Sequence, residues 1–194
     1  MLIPLISTNS SELQKRIERA MLSIMSRRPI RYLGDSVLRQ TARRVRQIDG
    51  NVQSLIENMI ESMYQAHGVG LAAPQIGVPL RVVVFGMPDE PAFAIINPEI
   101  TKAEGTRLIM EGCLSVPGYS SPIERSESVT IRGLSATGER ISITETNTLL
   151  AQAFEHETDH VNGILYVDYI DDHSSISYSP PRPENIEPES DDSF

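Results

Sequence analysis

A chain of 194 residues with 40% apolar side chains and no tryptophan suits one compact domain with polar ends. Its formal charge of −9 argues against nucleic-acid binding as the main role, and no apolar run approaches the roughly 18 residues of a membrane span. The single cysteine, Cys113, excludes an intramolecular disulfide and points to a reducing compartment.

The charge is uneven. Residues 1–31 carry six basic side chains against Glu12 and Glu18, and residues 171–194 carry seven acidic ones against Arg182. Both ends read as solvated surface. Met1-Leu-Ile-Pro-Leu-Ile6 is too short for the apolar part of a signal peptide. The basic start leaves an organelle transit peptide open, with Glu12 and Glu18 counting against it.

In chain order, Leu13, Ile17, Met21 and Leu22 recur at helical spacing behind Ser10 or Ser11 as a cap, so a helix is expected over 11–25. Ser36-Val-Leu-Arg39 predicts a short helical turn. Val52, Leu55, Ile56, Met59, Ile60 and Met63 give an amphipathic helix over 52–66, closed by Gly68. Leu80–Phe85 is a β-branched run and predicts a buried strand. Ala94–Asn97 predicts another, stopped by Pro98. Val129–Arg132 and Arg140–Thr144 alternate around a turn from Gly133 to Gly138 and predict a hairpin. A last helix follows Thr146 or Asn147 as its cap, has Leu149, Leu150, Ala153 and Phe154 on its apolar side, and ends near Asn162-Gly163. Ile164–Val167 predicts a final short strand, and the Pro- and Ser-containing stretch from Asp171 predicts an irregular tail. The element list predicts an α+β fold of short, mostly antiparallel strands with helices at both ends.

Three segments carry chemistry. Gly68-Val-Gly-Leu-Ala-Ala-Pro-Gln75 suits a backbone that something approaches closely, and taken alone it reads as a tight helix-to-strand connection. It lacks the lysine of a phosphate loop. Glu111-Gly-Cys113-Leu-Ser115 holds the lone cysteine, which alone reads as a small buried hydrophobe and as a thiolate would be a ligand for Zn²⁺ or Fe²⁺. His156-Glu-Thr-Asp-His160 is an H-E-x-x-H motif. At about 100° per residue its two histidines lie about 40° apart on one helix face, and Glu157 beside them can handle a proton of water activated there. Two histidines need a third protein ligand. The only histidine downstream is His173, at the start of the tail. Cys113, His156 and His160 make three ligands and leave one place open.

Together these segments resemble peptide deformylase, whose hallmarks are G-x-G-L-A-A-P-Q, E-G-C-L-S and H-E-x-D-H in that order. Gly34-Asp-Ser-Val-Leu-Arg39 resembles the family's usual opening. The resemblance covers roughly residues 29–170. It implies a peptide-deformylase-like α+β catalytic domain built around a central metal-binding helix, preceded by an extension over 1–28 and followed by the tail over 171–194.

The resemblance implies one divalent ion, Fe²⁺ with Zn²⁺, Ni²⁺ or Co²⁺ able to replace it, on Cys113, His156 and His160. It implies Glu157 as general acid and base. It implies Gln75 and the backbone N–H of Leu114 as oxyanion donors. Val69 and Gly70 would pair with the substrate as an added strand. The implied reaction removes the formyl group from the N-terminal methionine of new polypeptides and releases formate. The implied partner is an N-formyl-Met peptide; the basic N-terminal end leaves a ribosome contact open, and charge and hydropathy predict no specific nucleic acid and no membrane. A monomer in the cytoplasm of a bacterium, or phage-encoded, is expected, with an organelle of a eukaryote left open.

The chain departs from the family pattern at named positions. Glu155 stands where a glutamine usually precedes the first histidine, four residues from Asp159, so the pair should repel and weaken the metal site. Val161 replaces a leucine, and Ser120 replaces an arginine that commonly holds the peptide. Arg125 matches a family arginine and is expected to pair with an acid of the metal helix. Two other readings stay open. One is an H-E-x-x-H metallopeptidase with a different third ligand, which would keep its metal after Cys113→Ala. The other is a peptide-binding module without turnover, which would bind formyl peptides and release no formate.

Overall fold

The structure is a computed structural model that describes residues 28–180. The helix expected over 11–25 lies outside the described residues.

Two α-helices are described. Helix α1 spans Gly50–Gln65, and the Asp49 side chain caps it by accepting from Asn51 N and Val52 N. Helix α2 spans Leu149–Asn162. Thr148, rather than the expected Thr146 or Asn147, caps its start by accepting from Ala151 N, Leu149 in its first turn is exposed rather than packed in the core, and Gly163 closes it in the left-handed region at φ 80°. Ser36–Arg39 forms the expected short turn as a 3₁₀ helix.

Strands β1 (Gly70–Ala72), β2 (Val82–Phe85), β3 (Phe93–Glu104), β6 (Ser128–Leu134) and β7 (Arg140–Thr146) form an antiparallel sheet in the order β1–β2–β3–β6–β7. Strands β4 (Arg107–Cys113), β5 (Val116–Arg125) and β8 (Ser177–Tyr178) form a second. The expected hairpin is β6–β7, in register from Ser128↔Thr146 to Leu134↔Arg140.

All four residues of β2 are fully buried because both faces of its sheet are covered. Val82 and Val84 pack with Ile56, Met59 and Met63 of α1. Val83 and Phe85 pack with Phe154 and Val161 of α2. The Phe85 and Phe154 rings meet edge to face, with centroids 5.1 Å apart. Helix α2 also touches the second sheet through His156 and Glu111, so it is held between the two sheets.

Four further expectations change. Pro98 does not stop its strand: β3 runs on to Glu104 through a register shift between Ile96 and Glu99, where a proline is tolerated. Asn97 turns that bulge at φ 55°, and its amide bonds Val45 N and Val45 O at 2.9 Å each. The strand expected over 164–167 is instead a 3₁₀ helix, Tyr166–Tyr169, whose first residue is buried and donates its hydroxyl to Tyr119 O at 3.0 Å. Strands β4 and β5 were not expected. Part of the expected irregular tail is ordered, with β8 pairing Tyr178 to Tyr119 and Ser177 to Ser120.

Candidate metal centre

The face of α2 that meets the second sheet carries His156 and His160, with ring centroids 4.9 Å apart. Cys113 ends β4, just after a register shift between Gly112 and Cys113, and reaches the same point from the other side. Its Sγ lies 3.2 Å from His160 Nε2. One ligand atom from each of Cys113, His156 and His160 lies within 4.8 Å of the others. Ser115 N at 3.3 Å and Gln75 Nε2 at 3.6 Å both donate toward the sulfur.

A charged network holds His156 from behind. Its Nδ1 lies 2.6 Å from Glu111 Oε1. Arg125 donates to both Glu111 oxygens, from Nε at 3.0 Å and Nη2 at 2.7 Å, and its Nη1 bonds Asp159 Oδ2 at 2.7 Å. The Tyr169 ring lies 4.8 Å from the guanidinium carbon. Burial opposes ionisation of Glu111, yet the hydrogen bonds from His156 and Arg125 hold its carboxyl down at about 2.

Three groups in front behave differently. Burial works against a proton on His156, but the Cys113 sulfur and the Glu111 and Glu157 carboxylates hold its pKa well above the ordinary value. Burial and the charge on His156 push His160 well below it, toward the neutral ligand form. Burial pushes Glu157 up to about 7. Glu157 Oε2 and His160 Nδ1 are buried polar atoms without a hydrogen-bond partner. The Cys113 sulfur, two imidazoles and neighbouring carboxylates thus surround a point that favours positive charge. That donor set fits a divalent transition metal.

Gln75 is buried in the 3₁₀ turn Ala73–Ile76. Its Oε1 accepts from Ala72 N at 2.8 Å and its Nε2 donates to Ser115 Oγ at 3.3 Å, so the amide is fixed at both ends. A cavity of about 240 Å³ opens beside these groups, lined by Val69, Gly70, Gln75, Cys113, Leu114, His156 and Glu157 among others. A Cβ on Gly70 would lie 2.5 Å from Glu157 Oε1, so only glycine lets that carboxylate rest against the strand. Val69 O accepts from Gly86 N, and by antiparallel alternation the backbone groups of Gly70 face the open edge of β1. The structure thus brings all eight expected site residues together, with seven lining the cavity and His160 buried behind it.

Glu155 does not crowd Asp159. It accepts from Ser126 N at 3.0 Å and Ser126 Oγ at 2.9 Å, whereas Asp159 takes Arg125 as expected. Sequence reasoning missed Glu111 as the partner of His156 and Ser115 as the partner of Gln75. The available signal was strand alternation: Ile109, Glu111 and Cys113 share one side of β4.

A family model described as polypeptide deformylase matches residues 27–175. The peptide deformylase of Dehalococcoides mccartyi strain CBDB1 is 49% identical over 153 residues, 78% of this chain and 91% of that protein. A solved peptide deformylase from Legionella pneumophila superposes with a TM-score of 0.72 at 44% identity, covering 75% of this chain and 86% of that one. The class I type b peptide deformylase from Acinetobacter baumannii, solved with Met-Ala-Ser bound, superposes at 0.71 and 31% identity, covering 74% of this chain and 98% of that one.

Proposed function

We propose individual residue roles from one premise: the chain belongs to the peptide deformylase family. It is a metal-dependent hydrolase that removes the N-formyl group from new polypeptides. The observation that carries the roles is the convergence of Cys113 Sγ and the two histidine rings within 4.8 Å, next to buried Glu157.

In our reading Cys113, His156 and His160 hold one divalent ion, and Fe²⁺ suits the soft thiolate, with Zn²⁺, Ni²⁺ or Co²⁺ as substitutes. A cation in that set contributes Lewis acidity, which makes water nucleophilic at neutral pH. Glu157 takes a proton from the attacking water and hands it to the leaving amine nitrogen. Its pKa near 7 without a cation means that it readily carries that proton, and a nearby positive charge lowers it toward the base form. The Gln75 amide and Leu114 N–H donate to charge that develops on the formyl oxygen. Gly70 offers its edge groups to the peptide backbone, and Val69 walls the cleft beside it. Glu111, Arg125 and Asp159 keep His156 in its ligand orientation.

The proposed substrate is a peptide beginning with N-formyl-Met. The Met-Ala-Ser bound to the Acinetobacter relative supports this, because it has the form of a product. The catalytic unit is proposed to span 29–170, flanked by the extension over 1–28 and the tail over 171–194. All ligands and the acid/base come from one chain, which suits a monomer. Action in the cytoplasm, on chains leaving the ribosome, is proposed from the substrate; the sequence relative named above is bacterial. Among the described residues no helix is long and apolar enough to cross a membrane.

The test is formate release from a formyl-Met peptide after anaerobic loading with Fe²⁺ or Ni²⁺. Stoichiometric metal with formate release is expected. Full metal occupancy without formate contradicts the reading and favours a binding module.

A further inference from the structure

Helix α2 turns Leu149, Gln152 and Ala153 toward the cavity, on the side that carries His156. Gln152 is the neutral polar side chain among these. It is half-buried, and its Nε2 lies 3.4 Å from Glu111 Oε2. That exceeds the usual limit of about 3.2 Å for an N–H···O bond. Glu111 does not depend on it: it already holds Arg125 at 3.0 and 2.7 Å and His156 at 2.6 Å. The amide has two N–H groups and makes one long contact, so a donor is available at the cavity wall.

We propose that Gln152 determines specificity at the first residue of the substrate, and that the enzyme also deformylates peptides beginning with N-formyl-methionine sulfoxide. The inference rests on the deformylase reading and on the first side chain entering this cavity. A thioether sulfur is a weak acceptor, so ordinary methionine gains little from Gln152. A sulfoxide oxygen is a strong acceptor, and burying it among Leu149, Ala153 and Leu114 without a donor is unfavourable. The Gln152 N–H provides that donor. The chemical step is unchanged. Water adds to the formyl carbon, the C–N bond breaks, and formate and the free amine leave. The sulfoxide is neither reduced nor consumed.

The test compares kcat/KM for three peptides that differ only in their first residue: formyl-methionine, formyl-norleucine and formyl-methionine sulfoxide. Wild type is set against Gln152→Met, which keeps the volume and removes the donor, and Gln152→Glu, which keeps the length and presents an acceptor. The sulfoxide-to-norleucine ratio is expected to fall about tenfold in both variants. The methionine-to-norleucine ratio is expected to move less than about twofold. An equal fall for all three substrates would make Gln152 only a brace for Glu111 and overturn the proposal. A ratio unchanged from wild type in both variants overturns it too. A wild type that releases no formate even from formyl-methionine overturns the deformylase reading, and the inference with it.

Discussion

Two buried glutamates flank His156. Glu111, on β4, is 1% exposed and receives hydrogen bonds from His156 and Arg125. Glu157, on α2, is 3% exposed and keeps one oxygen without a partner. The same side chain at similar burial is held down at about 2 in one place and pushed up to about 7 in the other. Burial raises both; partners decide the outcome. Paired, a carboxylate becomes a fixed charge that orients a ligand. Unpaired, it becomes a group that can exchange a proton near neutrality. The back of the site is built for position and the front for proton transfer.

Removing a ligand between the two regions has the largest expected effect. Cys113→Ala takes one of three donors, and metal content should fall from about one ion per chain to near none, read by elemental analysis. Retained metal would point to another third ligand and to a peptidase-like site.

The back region is tested by Glu111→Gln. Arg125 loses its charged partner but keeps Asp159, so destabilisation should lie toward the lower end of about 3–5 kcal/mol in denaturant unfolding. Metal affinity should fall roughly 10- to 100-fold by chelator competition. Unchanged affinity would show that Glu111 does not orient His156.

The pH dependence of the metal-free protein should carry opposite signs for the two groups. Glu111 has a folded pKa of about 2 against an ordinary 4.5, so its contribution is present above about 4.5 and is lost as pH falls toward 2. Glu157 has a folded pKa of about 7, so its contribution is present below about 4.5 and is lost as pH rises through 7. Urea midpoints against pH should therefore flatten in the acid window for Glu111→Gln and in the 4.5–7 window for Glu157→Gln. The same window flattening for both variants would erase the contrast.

The smallest effect is expected at Glu155. Its carboxylate is committed to Ser126, away from the ligands. Glu155→Gln should change stability by less than about 1 kcal/mol and leave metal affinity within about twofold. A larger change in affinity would return Glu155 to the metal site.

The two regions also differ in how legible they were. Helices α1 and α2 stand out because Val52, Ile56, Met59 and Met63, and Ala153, Phe154 and Val161, recur at helical spacing toward an apolar core. The H-E-x-x-H pair and Glu157 could be placed on one face for the same reason, and the hairpin β6–β7 alternates openly. Strands β4 and β5 escape notice because their pattern is inverted. Leu108 and Met110 face solvent at 70% and 59% exposure, whereas Glu111, Ser121 and Arg125 face inward. A buried ion network puts charge where a strand usually puts apolar residues, so alternation reads backwards. That inversion hid the partner of His156. The repulsion expected between Glu155 and Asp159 failed for a related reason: tertiary partners, Ser126 and Arg125, separate charges that the helix alone would set side by side.

The most direct measurement is the rate of formate release by Glu157→Gln, with metal content determined on the same sample. About one metal ion per chain is expected, with a rate lower by about 10²- to 10⁴-fold. Full metal with a wild-type rate would contradict it, because proton transfer would then not pass through the one glutamate that the fold leaves unpaired at this centre.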